Sequence, residues 1–224
     1  EEYIFWRLLF IRRKNVVNTM LACTALMGLS VVMWVLFGYS LSFGGNHAGI
    51  IGDFRWFALN GIAINEAGPY AATIPHLVFV AFQMMFAMIT PALITGALVG
   101  RMKFKALFLF IAFWSVLVYY PMAHMVWGQG GFLEKIGSVD FAGGNVVHIS
   151  SGVSALVLAI LLGRRTGYEH TYYHVHNILF VVLGESLLLL GRFGFNAGSA
   201  LGANGMAARS FRISSVSASV AILV

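Results

Sequence analysis

Charge is what this 224-residue chain has least of: Asp, Glu, Lys and Arg together make up 10% of it. With 59% hydrophobic residues and a mean hydropathy of +0.84, that scarcity excludes a soluble domain and indicates a membrane protein. Cysteine is nearly absent too. The single Cys23 lies in an apolar run without a partner, which excludes a disulfide framework and a cysteine zinc site. No cleavable signal peptide is evident; Glu1-Glu2 leads straight into an apolar stretch too short to span comfortably. The net charge of +6 is better explained by topology than by nucleic acid.

What is present is a series of long apolar runs. A bilayer takes about 20 apolar residues to cross as a helix. On that measure the spans are a short or truncated 3–11, then 16–43, 73–99, 104–127, 141–162, 178–197 and 201–224, within a single transmembrane domain over 1–224. The expected fold class is all-α, a polytopic membrane helix bundle. Three basic clusters, Arg12-Arg13-Lys14, Arg101/Lys103/Lys105 and Arg164-Arg165, fall on one side if the spans alternate. The opposite loops, 44–72 and 128–139, carry only Arg55 and Lys135 against Asp53, Glu66 and Glu134. The positive-inside rule then places the clusters in the cytoplasm and the N-terminus outside.

One stretch organises the rest: Asp140-Phe141-Ala142-Gly143-Gly144-Asn145-Val146-Val147-His148, opening the fourth full-length apolar run. Its histidine sits within the hydrocarbon layer, about 12 Å from the Asp140 end at 1.5 Å per residue. Ionisable groups at that depth are costly and mark functional sites, although a histidine serving only as interhelical glue is the plain alternative. Asp140 reads first as an N-cap of that helix. Phe82 and Phe86 are four apart and share a helix face with Phe79 beside them, a pattern that core packing also explains. Pro91 should kink the same helix. His76 is expected in a hydrated structural role near the outer rim, and the aromatics from Trp34 to Phe43 in an interface belt.

Trp127 falls at the outer surface close in depth to Asp140; it reads as a belt residue or as a face for a cation. Phe195 and Ser199 lie one turn apart, an aromatic wall beside a hydroxyl. Arg192 projects there as well, with Glu185 two turns back as its only evident counter-charge. His170, His174 and His176 form a string without acidic or cysteine partners, so no zinc site is expected.

Together these segments resemble the ammonium transporter / methylammonium permease / Rhesus family. The matching text is Arg13-Lys14-Asn15, Trp34 through Ser42, His76-x-x-x-x-Ala81-Phe82-Gln83-x-x-Phe86, Ala123 through Gly128, Asp140 through His148, and Phe193 through Ser199. The likeness runs from about Arg12 to Ala207. It implies trimers of eleven-helix subunits, each with a pore between two inverted five-helix halves. It also implies roles. Trp127, Phe86 and Ser199 would form an outer ammonium recruitment site, with Phe82 on the same aromatic face, and Phe86 with Phe195 the stacked pair that closes the pore. His148 would be the first of two pore histidines, Asp140 the acid supporting the vestibule, and Tyr119 a nearby helper.

The physics accords with those roles. Burying a bare ammonium ion costs tens of kcal/mol by Born estimates, so a pore must replace its water or take its proton. Aromatic faces and a hydroxyl can receive the cation, and a neutral imidazole can hydrogen-bond ammonia or relay a proton. The resemblance further implies ammonium, ammonia or methylammonium as cargo, a homotrimer in the plasma (cell inner) membrane, and a cytoplasmic regulatory partner of the nitrogen-signalling type. It implies no cofactor, no nucleic acid and no enzymatic activity.

The chain departs from the family pattern in several places. It stops inside the seventh of eleven expected helices, before the helix that would carry the second pore histidine, which suggests a fragment. Arg7-Leu8-Leu9 replaces a usual Gly-Gly, Arg192 stands where a tryptophan is usual, and Arg209 and Arg212 interrupt the last apolar run. The segment 168–176 does not match the usual proline-containing loop. Two other functions remain open: an ammonium sensor without flux, and a membrane haem protein with paired histidines. Intramembrane hydrolysis is disfavoured, because Ser151 and Ser199 lack a nucleophile-elbow context.

Overall fold

Apolar runs of this length become helices because the bilayer offers backbone groups no partner, so every N–H and C=O must be satisfied within the segment. The computed structural model describes residues 16–164 and 177–223. The expected span 3–11, the cluster Arg12-Arg13-Lys14 and the histidine string at 170–176 lie outside the described residues.

The chain enters α1 (Val16–Met33), widens into a π-helical turn at Trp34–Gly38 and finishes the crossing in α2 (Tyr39–Phe43). A loop with a two-stranded antiparallel ribbon, β1 (Ala67–Gly68) and β2 (Ala71–Pro75), leads into α3 (His76–Leu98). Next come α4 (Phe104–Trp114), a π turn at Ser115–Tyr119, α5 (Tyr120–Trp127) and the short α6 (Phe132–Lys135). A third π turn, Gly144–Ile149, opens α7 (Ser150–Leu162); α8 (Ile178–Gly198) and α9 (Gly205–Leu223) follow.

Among the described residues, five helical stretches are long and apolar enough to cross a membrane: Val17–Phe43, His76–Leu98, Phe104–Lys135, Gly144–Leu162 and Ile178–Gly198. They match the expected runs closely. The run expected at 201–224 is helical over Gly205–Leu223 but is not among those five; Arg209, Arg212 and its serines dilute it. Among the described residues the ribbon and an isolated antiparallel bridge between His47 and Ile51 depart from the all-helical build, and the ribbon's residues showed no alternating apolar pattern to announce it.

Helix α3 is the axis of the bundle. It packs on α1 along one side and on α7 along another, while α8 packs chiefly on α9. It runs as one helix through the buried Pro91, and the Thr90 hydroxyl donates to the Phe86 carbonyl at 2.6 Å. Side chains such as this supply backbone partners near a helical proline. Arg101, just past α3, donates to the Ala159 carbonyl at 3.4 Å, which puts the α3–α4 turn and the C-terminal end of α7 at one end of the bundle.

The aromatics from Trp34 to Phe43 do not form an interface belt. Trp34 and Tyr39 are 0% exposed and Phe43 1%, buried against Tyr70, Phe79 and Tyr120. Phe43 meets Tyr70 edge-on at 4.9 Å, and Trp34 donates its indole N–H to the Val80 carbonyl. His76 is equally buried: the Tyr39 hydroxyl meets its Nε2 at 2.5 Å, with the Trp56 ring edge-on at 5.1 Å. A rim histidine becomes a core residue because the loop before α3 folds back over it.

The loops at that end are stitched to one another. Asn46 donates to Gly130 O and accepts from Gly49 N; Tyr70 donates to Phe43 O and accepts from Gln129 N. Burial raises the Tyr70 hydroxyl above its ordinary pKa, with the Gln129 hydrogen bond opposing it. Burial works against the Asp53 carboxylate, but N–H groups of Arg55 and Gly45 and the Arg55 guanidinium outweigh it. Its pKa is therefore lowered.

Candidate functional site

The site is built where α3, α5, the turn before α7, and α8 converge. α3 sets Phe82 and Phe86 one turn apart; their rings meet edge-on at 5.0 Å. Phe86, 1% exposed, is the hub. Trp127, from the last residue of α5, meets it edge-on at 5.5 Å, and Phe195 of α8 lies against it at 4.3 Å with a 34° tilt. Beyond Phe195 the next ring is His148, 6.3 Å away. Four rings from four segments of the chain thus form one unbroken series, Trp127–Phe86–Phe195–His148.

Asp140 explains why the first and fourth members hold their places. The helix starts at Gly144, not at Phe141 as the apolar run suggested. Residues 141–143 instead fold around the carboxylate. Oδ1 accepts from Gly143 N (2.6 Å) and Gly144 N (2.7 Å), and Oδ2 from Asn145 N (2.7 Å) and Val146 N (2.9 Å). The first turn of a helix leaves four donors without partners, and charge-assisted bonds to a carboxylate are the strong kind. Gly143 takes φ +87° at the bend, a left-handed conformation that disfavours a side chain. The backbone carbonyl of Asp140 meanwhile accepts the Trp127 indole N–H at 2.9 Å. One residue therefore caps the histidine's helix and fixes the tryptophan.

Ser199 donates its hydroxyl to the Phe195 carbonyl at 2.8 Å, which leaves its lone pairs as acceptors. Gly198 makes room for Phe82: a Cβ there would stand 3.1 Å from that ring. Tyr119, 1% exposed, ends the π turn before α5; its hydroxyl lies near Thr90 without a well-formed hydrogen bond.

A cavity of about 690 Å³ opens beside the ring series, lined by Phe82, Phe86, Phe195 and His148 and otherwise mostly by apolar side chains of α1, α3 and α8. Trp127, Ser199, Asp140 and Tyr119 are not in its wall. Of the eight expected site residues, then, four line the cavity, Trp127 and Ser199 contact Phe86 and Phe195, and Asp140 acts through Trp127 and the start of the His148 helix. Tyr119 stands apart in the core. The His148 ring is exposed among the described residues, whereas burial was expected; it faces the cavity and Phe195 rather than packing into a helix seam.

Some residues of the cavity wall gave no sign in the sequence. Cys23 and Met27, one turn apart on α1, line it, and only their i, i+4 spacing could have put them on one face. Arg192 lines it too, and no ion pair joins it to Glu185. Nε2 of His76 is engaged by Tyr39, and both ring nitrogens of His124 by Ser42 and Asn46; both rings are buried in the core away from the cavity that His148 lines. Among the described residues no cluster of three or more His, Cys, Asp or Glu could hold a metal ion.

Comparison with known proteins converges on one family. The model of the Ammonium Transporter Family matches residues 4–224. The chain is 47% identical over 201 residues to an ammonium transporter of Bacillus subtilis, covering 90% of this chain and 48% of that one. Among solved structures it resembles Mep2 of Saccharomyces cerevisiae at a TM-score of 0.81 and 31% identity, over 92% of this chain and 48% of that one. A structure described as a sensor Amt protein matches at the same TM-score of 0.81 and 29% identity, over 91% of this chain and 51% of that one. The chain spans about half the length of the relatives it matches. Fold, membrane-spanning helices and sequence agree: this chain belongs to the ammonium transporter family.

Proposed function

We propose that this chain is a membrane-embedded part of a transporter, not an enzyme, that carries ammonium or ammonia, methylammonium included, through a hydrophobic pore. The observation that carries the reading is the ring series Trp127–Phe86–Phe195–His148, ending at a cavity wall. Trp127, Phe86 and Ser199 receive the cation at the outer end: aromatic faces attract it by about 0.5–2 kcal/mol each, and the serine lone pairs accept its hydrogen bonds. Phe86 and Phe195, with Phe82 braced on Gly198, form the gate that keeps bulk water out. His148 then presents a ring nitrogen to the nitrogen species in the cavity. Asp140 and Tyr119 hold the vestibule in shape.

Residues 1–224 belong to a single transmembrane domain, multi-pass in the plasma (cell inner) membrane. The basic side of the bundle is cytoplasmic, so the N-terminus is outside. It works as a homotrimer in the lipid bilayer, with a cytoplasmic regulatory protein of the nitrogen-signalling type as partner. The decisive experiment is uptake of labelled methylammonium by cells or proteoliposomes carrying the full-length protein; competition by ammonium but not by potassium is expected. A second reading, a sensor that binds without flux, draws support from the sensor Amt likeness. Saturable ammonium binding with no uptake would favour it.

A further inference from the structure

His124 stands in the last turn of α5, one turn before Trp127, and is 0% exposed. Its Nδ1 lies 3.0 Å from the Ser42 carbonyl oxygen and its Nε2 3.2 Å from Oδ1 of Asn46. A carbonyl only accepts, so Nδ1 must carry a proton. The Asn46 amide is not free to turn and offer Nε2 a donor. Its Oδ1 accepts from Gly49 N at 2.7 Å, and its Nδ2 donates to the Gly130 carbonyl at 2.8 Å. A flip would set donor against donor at Gly49 and acceptor against acceptor at Gly130. Nε2 must therefore donate as well, and only the imidazolium donates from both nitrogens. A neutral ring keeps one of the two bonds and loses the other. Burial alone favours the neutral ring. Two satisfied donors and the negative end of the α5 dipole work the other way. The titratable groups that act on the ring come from the loop after α2: His47, and Asp53, whose carboxylate is held by Gly45 N, Arg55 N and the Arg55 guanidinium. On the elements packed around it, Tyr39 of α2 is bonded to His76, Tyr119 and Tyr120 are buried phenols, and Asp140 is committed to the start of the His148 helix. Glu134 and Lys135 belong to α6, where the Lys135 stem lies beside Gly130.

The two bonds of this ring tie together what surrounds Trp127. Through Ser42 they reach the end of α2, and through Asn46 both the loop at Gly49 and the chain at Gly130, just past Trp127. The Phe132 N–H closes the same junction on the Gly49 carbonyl at 2.8 Å. The ring is not in the cavity wall, so it does not meet the cargo there. We infer that His124, held as an imidazolium, is the positioning residue that fixes the end of α5 and with it Trp127 for cation recruitment, and that loss of its proton releases Asn46 and weakens recruitment. The inference rests on the transport reading above and adds to it a proton-dependent affinity set outside the pore.

The test uses the full-length protein, with monodisperse elution on size exclusion to verify that each variant folds. Nitrogen NMR of protein labelled at its histidine ring nitrogens reads the ring directly, the His124 signal being assigned by its loss in His124→Gln. Both nitrogens are expected to be protonated at neutral pH, with conversion to a neutral ring only on the alkaline side. In proteoliposomes with equal pH on both faces, KM and maximal rate of labelled methylammonium uptake are followed from about pH 6 to about pH 9, where an alkylamine stays protonated. Wild-type KM is expected to rise by about threefold or more as the ring converts, with little change in maximal rate. His124→Gln should show the raised KM at every pH. Asn46→Asp, whose carboxylate favours the charged ring, should move both the NMR conversion and the rise in KM to higher pH. A merely structural role would weaken both variants alike and leave the wild-type KM level with pH. A neutral ring at neutral pH, or a wild-type KM that stays level across the range, overturns the inference. A wild type with no uptake overturns the transport reading instead, and the NMR spectrum still decides the charge of the ring.

Discussion

The indole N–H of Trp127 donates to the backbone carbonyl of Asp140 at 2.9 Å, while the Asp140 carboxylate takes the N–H groups of Gly143, Gly144, Asn145 and Val146 at the start of the helix that carries His148. The outer aromatic and the inner histidine are thereby referred to one residue, and the expected effects of substitution follow from that geometry.

Asp140→Ala removes four charge-assisted bonds at once and leaves donors of the helix start without partners. A loss of about 3 kcal/mol or more is expected, since a single cap is worth about 1 kcal/mol and bonds to charged groups more. Thermal unfolding of the purified protein in detergent measures it. An unchanged midpoint would show that water replaces the carboxylate without penalty.

Trp127→Phe keeps a ring over Phe86 and deletes only the bond to Asp140. About 1 kcal/mol of stability should go with it, the net worth of one hydrogen bond. Methylammonium uptake should show a raised KM, because the outer face is less well positioned and a weaker cation–π partner remains. A variant with wild-type KM would separate Trp127 from recruitment.

His148→Ala should spare the fold, because the ring is exposed and its one ring contact is with Phe195. The stability change should stay within about 0.5 kcal/mol, as for other open positions. Uptake should fall by about tenfold or more, the loss of one good hydrogen bond to the permeant species. Equal uptake by mutant and wild type would remove the histidine from the pathway.

Asp53 gives a pH dependence of known sign. Its folded pKa lies below its ordinary value, so its stabilisation is fully present above that ordinary value, about 3.9, and fades as pH drops through the lower folded pKa. Melting temperature recorded from neutral pH down to about pH 3 should fall less steeply at the acid end in Asp53→Asn than in wild type. Parallel profiles would show that the Gly45 and Arg55 contacts carry no net weight.

Much of the bundle was legible because span length and apolarity are local properties: the runs at 16–43, 104–127 and 178–197 read almost as they fold. The Phe82–Phe86 pair was legible for the same reason, since i, i+4 spacing puts two rings on one face. What depends on distant segments was not. Trp34 and Phe43 looked like belt residues because Tyr120, which packs on the first, and Tyr70 and Phe79, which pack on the second, come from other parts of the chain. His76 was misplaced to the rim for want of Tyr39 and Trp56. The start of the His148 helix was read three residues early, because Phe141 and Ala142 are apolar enough to extend the run although the carboxylate bends them into a turn.

The three π turns, at Trp34–Gly38, Ser115–Tyr119 and Gly144–Ile149, each lodge one residue more than a regular helix of the same length would hold. Each is a built-in phase adjuster: excising a single residue there, Val116 for instance, collapses the wide turn and leaves the faces above and below aligned. The same excision in a regular stretch, at Ile111, swings everything downstream by about 100° and carries Trp127 away from Phe86. Recovery of monodisperse protein from the first deletion and aggregation from the second would bear that out, and would mark these turns as the places where the bundle tolerates a change in length.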